Sequence, residues 1–81
     1  MKELFVLAWH SYDELSTDLD GAVVGVYESL AEAQFNMKEQ IEDTISYYEN
    51  EEYHSDIQER NSLFATPNGY LTNYYITEVS L

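Results

Sequence analysis

Leu30, Ala33, Met37, Ile41, Ile45 and Tyr48 recur at intervals of three and four, so a helix through them carries one continuous apolar stripe. Such a stripe must be buried against something else in the chain, and this requirement restricts the folds open to it. Ser29-Leu30-Ala31-Glu32 immediately precedes the pattern and fits a capping box, which predicts where the helix starts. At about 100° per residue, Glu32, Glu39 and Asp43 fall opposite the stripe, with Phe35 and Glu42 beside them. Tyr47 also falls off the stripe.

The surface that receives the helix reads as a sheet. In Glu3–His10, Phe5, Leu7 and Trp9 alternate with Leu4, Val6 and Ala8. A strand apolar on both faces belongs in the interior of a sheet rather than at its edge. Ser11 to Asp20 reads as a polar loop, and Asp20-Gly21 as a turn leading into the valine-rich Ala22–Tyr27; the first two strands are expected to form a hairpin with a long connection. Pro67-Asn68-Gly69 is a turn signal. From Tyr70 to Leu81 the chain alternates again, with Tyr75, Thr77 and Val79 on one face and Tyr74 and Ile76 on the other.

Between these lies the stretch hardest to assign. Tyr53, Ile57 and Phe64 form a second apparent helical stripe, rotated about half a turn from the first. A break near Glu49–Glu52, with Asn50 capping both sides, predicts a second short helix over Glu52–Asn61. The resulting expectation is a single α+β domain over residues 1–81, in the order β-β-α-α-β, with one long and one short helix. Its antiparallel sheet has three strands, or four if Leu63–Thr66 pairs across the turn. The last strand returns beside the first, for a sheet order of 2-1-3.

Charge limits the function. Sixteen acids against three bases give −13, beyond the roughly 2–8 suited to a soluble small domain. This field excludes direct binding to nucleic acid or anionic membrane, because phosphate contacts need Lys and Arg. It favours fast, salt-sensitive association with a basic protein surface. The acids are unevenly placed: residues 61–81 contain only Glu78, whereas Glu39, Glu42, Asp43, Glu49, Glu51, Glu52, Asp56 and Glu59 crowd one segment. With Glu32, Phe35 and Tyr47 these form the candidate partner-binding set, the aromatics supplying contact area at low entropic cost.

Other chemistry finds little support. There is no cysteine, which removes disulfides and thiolate metal sites and fits a cytoplasmic protein. Met1-Lys2-Glu3 lacks the features of a signal peptide, and the apolar run Leu4–Trp9 is far short of a bilayer span. Ser16, Asp18, Asp20 and Gly21 approach the register of a calcium loop, but Tyr27 stands where its bidentate Glu belongs. His10, expected at a strand end, and His54, expected on a helix surface, lack paired ligand spacing. With no nucleophile elbow and no glycine-rich phosphate loop, the expectation is a non-enzymatic protein without metal or cofactor.

Trp9-His10 closing the first strand, Gly25-Val26-Tyr27-Glu28-Ser29-Leu30-Ala31-Glu32-Ala33, and Tyr75-Ile76-Thr77-Glu78-Val79 resemble a group of small bacterial and phage domains of unknown function. In those, a Gly-Val-Tyr-x-Ser-x-x-Glu-Ala element joins a strand to a helix. The resemblance covers the frame, not Glu39–Phe64, and implies an α+β fold. In size, charge and its mixture of acids and tyrosines, the chain also resembles phage-encoded DNA-mimic inhibitors of the anti-CRISPR and anti-restriction type. That likeness implies a partner such as a CRISPR effector or nuclease. An immunity protein against a basic nuclease toxin, or a small oligomerising domain whose charge serves solubility, are the alternatives.

Overall fold

In a computed structural model, residues 2–13 and 18–81 are described, residue 18 by its backbone alone. The chain forms β1 (Glu3–Asp13), β2 (Asp18–Tyr27), α1 (Leu30–Tyr47), β3 (His54–Ile57), β4 (Asn61–Ala65) and β5 (Tyr70–Ser80). All pairings are antiparallel, and the five-stranded sheet has the order β2-β1-β5-β4-β3. The expected return of the last strand beside the first is therefore found. The strand count is a correction: five, not three or four.

α1 begins where the capping box places it. Ser29 Oγ accepts from the Glu32 backbone N–H at 3.1 Å, satisfying one of the helix's free donors. Ala33, Met37 and Ile41 are buried, and Leu30, Ile45 and Tyr48 pack partly buried around them. Beneath the stripe lie Phe5 and Leu7 of β1, Tyr74 and Ile76 of β5, and Phe64 of β4. Glu28 precedes the cap and meets Lys2 at 3.0 Å.

The second helix does not exist. Tyr53 and Ile57 are four residues apart, a spacing that satisfies the helical period and also the period of two in a strand. Here the chain takes the latter, forming β3, reverses through Glu59 and Arg60, and returns as β4. Gln58 N–H donates to Asn61 O at 2.8 Å across this reversal, and α1 holds it from outside through Gln34 Nε2 donating to Glu59 O at 3.0 Å. The cap at the end of α1 is Tyr48, not Asn50. His54 accordingly opens an edge strand, and His10 lies within β1 rather than at its end.

Strand ends also run further than the side chains suggest. Ser11–Asp13 and Asp18–Asp20 belong to β1 and β2, so Asp20-Gly21 is strand and not a turn. A bulge between Leu7 and Ala8 of β1 faces an extra residue in β2, and Val24 packs onto the core there. Any Cβ on Gly25 would come within 2.7 Å of the Tyr27 hydroxyl, so glycine leaves room for that ring. The expected turn at Pro67-Asn68-Gly69 is present, with Gly69 at φ 99° and its N–H donating to Thr66 O at 3.1 Å. Gly69→Ala is expected to cost about 1–2 kcal/mol, the penalty of a left-handed residue carrying a Cβ, read as a lowered urea midpoint with unchanged slope.

By register the sheet has one face under α1, and the second face has no described element across it. Val26, Val6 and Thr77 form one rung of that second face; Val23, Ala8 and Tyr75 form the next. The molecule is a thin plate of 45 × 23 × 16 Å.

Candidate functional site

The acids that sequence places opposite the helical stripe are exposed. Glu32, Glu39, Glu42 and Asp43 all face solvent on α1, as do Phe35 and Tyr47, which are 63 % and 83 % exposed. Glu39 and Asp43 stand one helical turn apart, about 6 Å, and Glu32 lies two turns before Glu39, about 10 Å. Lys38 approaches Glu42 at 3.9 Å in an exposed pair, a contact worth little in solvent.

Negative potential increases toward the end of the helix. Backbone dipoles leave roughly half a negative charge at a helix C-terminus, and the last turn of α1 contains no Lys, Arg or His. Glu49, Glu51 and Glu52 follow directly, all exposed. A lone helix would be better served by a cation here, so this end is electrostatically incomplete in the free chain.

Beside it lies a groove of about 330 Å³ lined by Gln40, Asp43, Thr44, Tyr47, Tyr48 and Tyr70. Its walls are aromatic: Tyr48 contacts Tyr47 edge-on at 5.1 Å and stacks on Tyr70 at 5.8 Å. An adjoining recess shares Gln40, Thr44 and Tyr70 and continues to Trp9, Thr72 and Tyr74. Thr44 Oγ1 donates to Gln40 O at 3.2 Å, which leaves the Tyr74 hydroxyl to donate to Thr44. Thr72 Oγ1 is buried with no hydrogen-bond partner among the described residues. A carboxylate beside several aromatic faces suits a guanidinium or ammonium group, which gains both an ion pair and cation–π contact.

Burial raises the Tyr74 hydroxyl above its ordinary value, reinforced by the charges of Tyr70 and Asp43. The Thr44 hydroxyl, able to turn and donate to a phenolate, works against that shift. Tyr48 is also raised, by burial first and then by Tyr70, Tyr47, Glu51 and Asp13. A raised folded value means that the unfolded chain ionises first. Stability from these groups is therefore complete below pH about 10 and is lost as pH climbs through the raised folded values. Thermal midpoints are expected to fall above pH about 10, with a shallower fall in Tyr74→Phe.

The predicted set does not form one surface. Glu59 is exposed in the β3–β4 reversal. Asp56 pairs by register with Leu63 on the sheet face away from α1, so it cannot join the helix acids. Gln40, Thr44, Tyr70 and Thr72 escaped sequence reasoning because polar residues at a stripe's margin and a tyrosine after a turn have no local signature. Ser16 of the calcium-like segment lies outside the described residues, as does the side chain of Asp18. Asp20 Oδ1 accepts from the Gly21 N–H at 2.9 Å. Among the described residues no group of three His, Asp or Glu side chains is placed to hold a metal ion, and no helix is long and apolar enough to cross a membrane. Compared with protein-family models, curated proteins and solved structures, the chain has no match.

Proposed function

We propose that this protein binds the basic nucleic-acid-binding surface of an enzyme and inhibits it by occupying the place of DNA or RNA. What supports this reading is the exposed acidic side of α1, which runs without a basic counterpart in its last turn into Glu49, Glu51 and Glu52. Carboxylates about 6 and 10 Å apart along a helix stand in for backbone phosphates. The field of −13 steers the partner in, and Phe35 and Tyr47 supply apolar contact once it arrives. The Asp43 groove takes an arginine or lysine side chain from the partner's channel. A phage counter-defence protein directed at a CRISPR effector or restriction nuclease is the form we favour; immunity to a basic nuclease toxin draws on the same physics.

The test is capture on the immobilised protein from nuclease-treated bacterial lysate, followed by a salt gradient. A nucleic-acid enzyme released at moderate salt, displaced by added duplex DNA or RNA and inhibited by the free protein, is the expected result. A partner indifferent to salt and to nucleic acid overturns the proposal.

A further inference from the structure

The sheet face away from α1 is unlike the rest of the molecule. Among strand acids whose side chains are described, Glu3, Asp13, Asp20 and Glu78 fall by register on the α1 side, and Asp56 alone falls on the other, at the edge strand β3. The centre of this second face is apolar or neutral. Val26, Val6 and Thr77 are neighbours across β2, β1 and β5, and Val23, Ala8 and Tyr75 are neighbours in the next rung. The rung after these is polar, Gly21, His10 and Asn73, and beyond it Leu19, Tyr12 and Leu71 align. Val23 and Val26 are 63 % and 55 % exposed, in a chain whose net charge is −13.

We propose that this face is the interface of a homodimer, in which two copies stack sheet against sheet about a twofold axis. Three observations favour a second copy over another occupant. First, Asp56 at the edge is the one described strand acid on this face, so a basic partner finds little counter-charge there; an identical face matches it in being largely apolar. Second, its size is right. At about 4.8 Å between strands and 3.3 Å per residue, five strands of unequal length offer on the order of 700 Å² per copy, close to the roughly 800 Å² per partner of a stable interface. Third, stacking solves the charge problem. Two sheets packed about 10 Å apart, each with its helix outside, separate the two acidic sides by about three Debye lengths at physiological salt.

Both sides of β1 are then buried, as the two-sided apolar pattern of Leu4–Trp9 requires. The dimer leaves both α1 faces free, so this inference does not rest on the function proposed for them. It predicts the opposite salt response: residual repulsion between two highly acidic copies weakens as salt rises, so association tightens, whereas capture of a basic partner loosens.

Sedimentation of the purified chain at micromolar to submillimolar concentration, in low and high salt, tests the proposal. Expected is a species of twice the 9.4 kDa chain mass, favoured by higher salt. Thr77 is exposed and lies in the rung of Val6 and Val26, so its replacement leaves the isolated fold intact, which circular dichroism and melting check. Thr77→Glu and Thr77→Lys are each expected to weaken dimerisation at least a hundredfold, since either charge is desolvated between the sheets. E39Q/E42Q/D43N is expected to leave the high-salt dimer in place. A monomer under all conditions, a dimer that dissolves as salt rises, one that survives both Thr77 variants, or one lost only in Thr77→Glu overturns the proposal.

Discussion

Phe64→Ala is expected to leave the chain close to unfolding at room temperature. Phe64 is wholly buried and touches the rings of Tyr48 at 5.2 Å, Tyr53 at 5.5 Å and Tyr70 at 6.2 Å. It therefore joins the end of α1, the entry to β3 and the start of β5 through one side chain. Truncating a buried phenylalanine costs about 3–5 kcal/mol. At roughly 0.05–0.15 kcal/mol per residue, a domain of 81 residues has on the order of 4–12 kcal/mol in total. The hole also sits where the short strands β3 and β4 depend on helix contact, so their pairing is lost first. Urea denaturation followed by tyrosine fluorescence measures the loss. Leu63→Ala, one residue earlier and on the opposite face, provides the contrast and is expected to move the midpoint far less.

Neutralising Glu39, Glu42 and Asp43 together, to Gln, Gln and Asn, is expected to abolish capture of a basic partner while the protein stays folded. All three are exposed and none carries a core contact. Removing the Glu39/Asp43 repulsion and negative charge near the C-terminal dipole even favours the helix, by a few tenths of a kcal/mol. Binding responds differently. Close charge pairs at such interfaces couple by about 1.5 kcal/mol or more each, so three losses predict a fall in affinity of at least about a hundredfold, with part of it in the association rate. Titration calorimetry and stopped-flow association against the captured enzyme, in low and moderate salt, separate the two effects. Unchanged affinity with a folded variant removes the helix from the proposed site.

Much of this fold was legible in the chain. The helix was, because Ser29 and Glu32 mark its start and its stripe keeps one period from Leu30 to Tyr48. The inner strands were too, since β1 and β5 alternate cleanly and Gly69 marks the turn before β5. Two-sided apolar character placed β1 inside the sheet, and the exposed acids of α1 followed from helix geometry alone.

Residues 49–60 were not legible in this way, whereas Leu63–Ala65 pair with β5 across the turn as the four-stranded reading had it. Tyr53 and Ile57 fit both periods, and nothing nearby breaks the tie. Tertiary structure does: β5 has one edge against β1, and its other edge is left with free N–H and C=O groups that must pair. Asn61–Ala65 fills that edge, and Ile76 N–H donates to Arg60 O at 2.8 Å. Polar strand ends such as Ser11–Asp13 were hidden for a related reason, since the ladder to Tyr70–Thr72 is made by backbone groups whatever the side chains are. What the sequence by itself determined was the elements with one unambiguous period, and the sign of the surface. Only the tertiary structure decided that His54–Ile57 supplies the fifth strand, which acids share a face, and that the far side of the sheet is largely apolar with no described element across it. Those outcomes depend on hydrogen bonds and contacts between residues distant in the chain, which no local period encodes.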